Sequence, residues 1–109
     1  MVKSTIWLSY DLGVTGDYEG MYSWLDNHGA KECGSGVAYL QFTHEDNLTA
    51  SLKSEIEGAV ALNKRSRIYV IYKKDGRISG RYLIGHRKGA PWEGFGDKDE
   101  TEEDLGDTQ

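Results

Sequence analysis

Residues 5–12 read Thr-Ile-Trp-Leu-Ser-Tyr-Asp-Leu, a stretch in which an apolar or aromatic residue stands at every second position from Ile6 onward. Successive side chains of an extended strand point to opposite faces. Ile6, Leu8 and Tyr10 therefore share one face, and Trp7 lies on the other with Ser9. The stretch predicts a β-strand that has apolar character on both faces.

Helices and strands alternate in the pattern that follows this strand. Residues 18–25 show apolar spacing typical of a helix, with Thr15 or Asp17 as its N-cap. Two strands are predicted next, a short one at 30–33 and a clear one at 37–42. Thr43 and Asp46 then resemble a capping box, which predicts a second amphipathic helix.

A hairpin completes the predicted order of elements. Residues 67–73 are β-branched and aromatic, Asp75-Gly76 favours a type I′ turn, and residues 77–84 form the returning strand. The order predicts an α+β fold, a ferredoxin-like β-α-β-β-α-β sheet with both helices on one face and a C-terminal β-hairpin. The other face is apolar enough for a second copy to cover it, with Trp7 at the interface of a homodimer.

Length and composition indicate one domain. The chain has 109 residues, 38% of them hydrophobic and 28% charged, which is typical of a folded globular protein. We expect residues 1–96 to form a single ferredoxin-like domain and residues 97–109 an acidic, disordered tail. Apolar runs of only about five residues exclude a membrane span. The single cysteine and the polar N-terminal residues favour a cytoplasmic location.

Charge is distributed unevenly along the chain. The formal net charge is −5, but residues 97–109 carry −6 and residues 64–88 carry +8. Arg77 and Arg81 share one face of the last strand, and Arg87 and Lys88 follow it. These four residues are candidates for contact with the phosphates of RNA or DNA. The alternative is a charged edge strand that prevents aggregation.

The segment Ser9-Tyr10-Asp11-Leu12, followed by Asp17-Tyr18 and the helix after it, resembles the small CRISPR-associated dimeric nuclease superfamily. Its stand-alone branch, which includes virulence-associated protein D-like endoribonucleases, is the most similar. The resemblance implies a ferredoxin-like fold, a homodimer, and two copies of Asp11 near the twofold axis. This carboxylate pair would hold Mg²⁺ or Mn²⁺ for catalysis.

Asp11 has two interpretations. Paired across a twofold axis, its carboxylate could bind a divalent metal together with phosphate oxygens. It could instead cap the loop at residues 12–16 by accepting backbone amides. The three histidines do not match a zinc-binding spacing, and Cys33 is expected to be a small buried residue.

Two functions remain open at this stage. The first is a homodimeric nucleic-acid-binding protein with metal-dependent nuclease activity at Asp11. The alternative is a non-catalytic protein-interaction module of a mobile-element or defence system. The residues alone leave open whether the protein is an enzyme.

Overall fold

The computed structural model describes residues 1–97, so the predicted acidic tail lies outside the described residues except for Asp97. Residues 1–97 form five strands and two helices. Their order is β1 (Val2–Asp11), α1 (Tyr18–Asn27), β2 (Lys31–Gly34), β3 (Val37–His44), α2 (Leu48–Ala59), β4 (Arg67–Lys74) and β5 (Arg77–Ile84). No helix in residues 1–97 is long and apolar enough to cross a bilayer.

All five strands join one antiparallel sheet in the order β2-β3-β1-β4-β5. The predicted α+β class, the two helices and the C-terminal hairpin are confirmed. β1 is the central strand, because β3 and β4 flank it on its two sides. Trp7 consequently lies opposite Tyr39 on β3 and opposite Ile71 on β4.

The hydrophobic core lies between one face of the sheet and the two helices. Ile6 and Leu8 of β1 are fully buried there, and burial of each stabilises the fold by about 1.5–3 kcal/mol. α1 and α2 contribute Met21, Leu52 and Ile56, which are also fully buried. The fully buried residues of the flanking strands are Ile68 and Val70, and Leu40 and Phe42 are almost completely buried beside them.

The turn between β4 and β5 has the backbone that the sequence predicts. Asp75 and Gly76 both have positive φ, at 53° and 79°. A type I′ turn requires positive φ at both central positions, and its twist matches that of the flanking strands. The hairpin therefore pairs in register from Lys74 opposite Arg77 up to Tyr69 opposite Tyr82.

The start of α2 differs from the predicted capping box. Thr43 and His44 belong to β3, since this strand stays paired with β1 as far as Val2 opposite His44. The N-cap is Asn47, whose side-chain oxygen accepts a hydrogen bond from the Ala50 amide at 3.0 Å. Strand pairing with β1 thus overrides the local capping pattern.

Cys33 also differs from its prediction, because it is exposed. It lies on β2, an edge strand whose register with β3 shifts between Glu32 and Gly34.

Asp17 caps α1 and links the two helices. One carboxylate oxygen accepts from the Gly20 amide and the other from the Ala61 amide beyond α2, both at 2.9 Å. A side chain at Gly20 would meet this carboxylate and the Ala59 carbonyl, so the close approach requires glycine. The hydrogen bonds from Ala61 and Gly20 lower the pKa of Asp17.

We expect Asp17→Asn to destabilise the fold at neutral pH. An amide keeps one acceptor oxygen, but it turns an NH₂ group towards one of the two amides. Because folding lowers the pKa of Asp17, its stabilisation is present above the unfolded-state pKa and is lost as the pH falls through the folded-state pKa. Urea unfolding at pH 7 and in acid should show a wild-type advantage that shrinks with decreasing pH. An advantage that is constant with pH would contradict this role.

Candidate functional site

The sheet face opposite the helices, here called the open face, is covered by no other element in residues 1–97. Trp7, Tyr39 and Ile71 lie on it at the centre of the sheet and are 37%, 38% and 37% exposed. Tyr69 and Tyr82 continue the same face onto β4 and β5. Four aromatic rings and one isoleucine therefore form a row across four strands.

The four rings on the open face form two pairs. The Trp7 and Tyr39 ring centroids are 6.3 Å apart with planes tilted by 30°. The Tyr69 and Tyr82 rings meet edge to face at 4.8 Å. Strand pairing fixes the backbone that carries these rings, so the row loses little backbone entropy when a flat ligand lies on it.

Gly80 opens a groove beside the two outer tyrosines. A Cβ atom at Gly80 would lie 2.6 Å from the Tyr69 hydroxyl oxygen, so the Tyr69 ring occupies the space that a side chain would fill. The groove has a volume of about 630 Å³, and its lining includes Tyr69, Tyr82, Arg81 and Arg87. Because Arg81 lies on the helix side of β5, the groove follows the β5 edge of the sheet from one face to the other.

The open face is predominantly cationic. Alternation and the strand register put four basic side chains on it within the five strands: Lys3, Lys31, Arg67 and Lys73. The one carboxylate at these strand positions is Asp11, which pairs with Arg67. An anionic ligand would therefore meet positive charge around the aromatic row.

Asp11 makes two contacts at the end of β1. Its Oδ1 accepts a hydrogen bond from the Gly13 amide at 3.1 Å, and its Oδ2 lies 3.5 Å from Nη2 of Arg67. The loop-capping contact predicted as the alternative is therefore present. Within residues 1–97, no group of three or more His, Cys, Asp or Glu side chains could hold a metal ion. A metal shared between two copies of Asp11 stays a prediction.

The four residues predicted to contact phosphates are divided between β5 and the segment that follows it. Arg77 and Arg81 are exposed on the helix side of β5, and Arg81 donates to the Thr49 hydroxyl of α2 at 3.4 Å. Arg87 and Lys88 follow β5 and are exposed. Arg81 and Arg87 both reach the groove beside Tyr69 and Tyr82.

Sequence reasoning missed most of the open face. Tyr69, Tyr82 and the basic residues Lys3, Lys31 and Lys73 were not identified as a group. Their alternation within each strand was visible in the sequence. Only the pairing of β1 with β3 and β4 shows that these separate alternations face the same way.

Comparison with known proteins gives no match. No protein-family model matches the chain, and neither a curated protein nor a solved structure is detectably similar to it.

We expect Asp11→Ala to lower the free energy of unfolding by about 1 kcal/mol, because the Gly13 amide loses its acceptor. Asp11→Asn retains an acceptor oxygen and should lose less. If the carboxylate also binds Mg²⁺ or Mn²⁺, both variants lose metal affinity, since a neutral amide does not balance a divalent charge. Urea unfolding and calorimetric metal titration measure the two effects separately. Wild-type protein without metal affinity or metal-dependent cleavage of RNA and DNA would refute the nuclease hypothesis.

Proposed function

We propose that this protein binds single-stranded nucleic acid across the open face of its sheet. The observation that carries the proposal is the row of partly exposed aromatic side chains with basic residues around it. Trp7, Tyr39, Tyr69 and Tyr82 supply the rings.

Stacking supplies the first part of the binding energy. Unpaired bases stack on exposed aromatic rings, and each stacked base contributes about 1–3 kcal/mol. Bases of a duplex are already stacked on one another, so the aromatic row favours a single strand. Four rings across neighbouring strands suit a short segment of a few nucleotides, which extends over the sheet.

Electrostatic attraction supplies the second part. Lys3, Lys31 and Lys73 surround the row, and within residues 1–97 none of the three forms an ion pair with a carboxylate. The backbone phosphates of a strand lying on the rings would pass close to them. Each phosphate contact releases counterions, so binding should weaken as the salt concentration rises.

A second copy of the chain is the competing occupant of the open face, and it is the homodimer predicted from Trp7. Burial of the partly exposed Trp7, Tyr39 and Ile71 favours such a dimer. Four basic residues on the same face disfavour it, because a twofold axis would bring like charges together. Their charge favours an anionic partner.

The ferredoxin-like fold and the metal-dependent cleavage, both predicted from the sequence, rest on separate observations. The order of β2, β3, β1 and β4 with two helices over one face supports the ferredoxin-like assignment, and β5 then extends the sheet beside β4. Metal-dependent cleavage rests on Asp11, which lies at the margin of the open face. The proposed binding does not require it.

We expect Trp7→Leu and Tyr39→Leu each to weaken binding of single-stranded RNA or DNA by about tenfold, the equivalent of one lost stacking contact. Leucine keeps an apolar side chain in the row and removes the ring. The measurement is fluorescence anisotropy with labelled oligonucleotides of about twelve nucleotides, at low and at high salt.

Matched controls are available outside the strands of the sheet. Trp92→Leu and Tyr22→Leu remove aromatic side chains that are 73% and 55% exposed and lie outside the strands. They should leave the affinity unchanged. Equal losses from all four variants, or no binding by the wild type, would refute the proposal. Light scattering that shows a dimer, converted to a monomer by Trp7→Glu, would assign the open face to a second copy instead.

A further inference from the structure

A second concave site lies on the helix side of the sheet, where α2 begins. It is a cavity of about 430 Å³, a volume within the usual range for small-molecule sites. Five elements line it: the start of β1 with Ser4, the end of β3 with His44, the first turn of α2, the end of β4 with Tyr72 and Lys74, and Arg81 of β5. The cavity uses none of the aromatic residues of the open face.

The cavity is suited to an anion. Lys74 and Arg81 line it with basic side chains, against the single carboxylate of Asp46, whereas the side chain of Lys73, which also borders it, lies on the open face. Arg81 is held at the start of α2, because it donates to the Thr49 hydroxyl, which in turn donates to the Asn47 side chain. A guanidinium group and an ammonium group are thus placed on the same wall.

The first turn of α2 adds backbone donors to this wall. Asn47 caps the Ala50 amide, and the first intrahelical bond is from Ser51 to the Asn47 carbonyl. The amides of Leu48 and Thr49 precede that bond, so they point from the helix start without an intrahelical acceptor. Phosphate oxygens are the acceptors that such amides favour.

A buried histidine lies beside Ser4 at the cavity. His44 lines the cavity, is 9% exposed, and its Nε2 lies 2.9 Å from the Ser4 hydroxyl oxygen. Its Nδ1 has no hydrogen-bond partner within residues 1–97. Buried polar groups without partners are rare in folded proteins. Because this Nδ1 is buried from solvent, a ligand in the cavity does not reach it, and the polar groups that such a ligand meets are those of Arg81, Lys74 and the first turn of α2.

Tyr72 offers an aromatic surface for a second part of the ligand. Its half-buried ring lines the cavity on the side of β4, and Leu48 adds an apolar surface from α2. A ligand that uses the whole site therefore has a phosphate at one end and a flat ring at the other. We infer that this cavity binds a nucleoside monophosphate, with the phosphate at Arg81, Lys74 and the start of α2 and the base against Tyr72.

A nucleoside monophosphate group occurs both in a free nucleotide and at the 5′-phosphorylated end of a nucleic-acid strand. Calorimetric titration of the full chain with the four ribonucleoside 5′-monophosphates tests the first source. Anisotropy with 5′-phosphorylated and 5′-hydroxyl oligonucleotides of the same sequence tests the second. Unphosphorylated nucleosides and inorganic phosphate measure the two halves of the ligand separately, and both should bind more weakly than the whole.

The decisive variant is Arg81→Gln, with Arg77→Gln as its matched control. Both arginines are exposed on the same side of β5, but only Arg81 lines the cavity. Arg81→Gln should weaken nucleoside monophosphate binding by about tenfold or more, and Arg77→Gln should not change it. Tyr72→Leu should weaken binding of the nucleotide and leave that of inorganic phosphate unchanged.

Each outcome decides the inference. Binding of free nucleotides that Arg81→Gln weakens assigns the cavity to a small molecule. A preference for the 5′-phosphorylated strand that disappears in Arg81→Gln assigns it to a strand end. Because Trp7→Leu leaves the cavity intact, nucleotide binding should persist in that variant even if the open face binds nothing. Absence of binding by every phosphorylated probe, or equal losses in Arg77→Gln and Arg81→Gln, would overturn the inference.

Discussion

Pairing of β1 with a strand on each side is the constraint on which the rest of the structure depends. Ile6 and Leu8 are completely buried because β3 and β4 flank them and both helices cover them. A slip of one residue in this pairing would move the apolar set to the opposite face. The core therefore fixes the register, and the register fixes which side chains remain on the open face.

The register also decides which side chains lie together on the open face. Trp7 can be 37% exposed only because no helix crosses this side of the sheet. Its neighbours Tyr39 and Ile71 are set opposite it by hydrogen bonding to two different strands. The face differs from a core because basic residues lie around the aromatic ones. Proposed binding of a single strand uses both features together.

The helix side of the sheet carries a different kind of site. β3 extends to His44, so α2 begins only at Leu48. The first turn of the helix consequently lies beside the start of β1 and the end of β4. The same extension draws His44 into a buried position beside Ser4. A capping box at Thr43 would have begun the helix earlier and left no strand residue there. The cavity is thus a consequence of strand pairing that continues past a local helix signal.

Much of the fold could be predicted from local patterns. Alternation in residues 5–12, helical spacing in residues 18–25 and the Asp75-Gly76 turn each act over a few neighbouring residues, and the structure contains all three. The loop-capping contact of Asp11, one of its two interpretations, is equally local, since its acceptor reaches only two residues along the chain. The end of β3, the exposure of Cys33 and the two candidate sites were decided by tertiary structure. Each depends on which strands are neighbours, and hydrogen bonds between strands join residues that lie tens of positions apart. Alternation shows which side chains of one strand share a face, but only the assembled sheet brings the faces of five strands together.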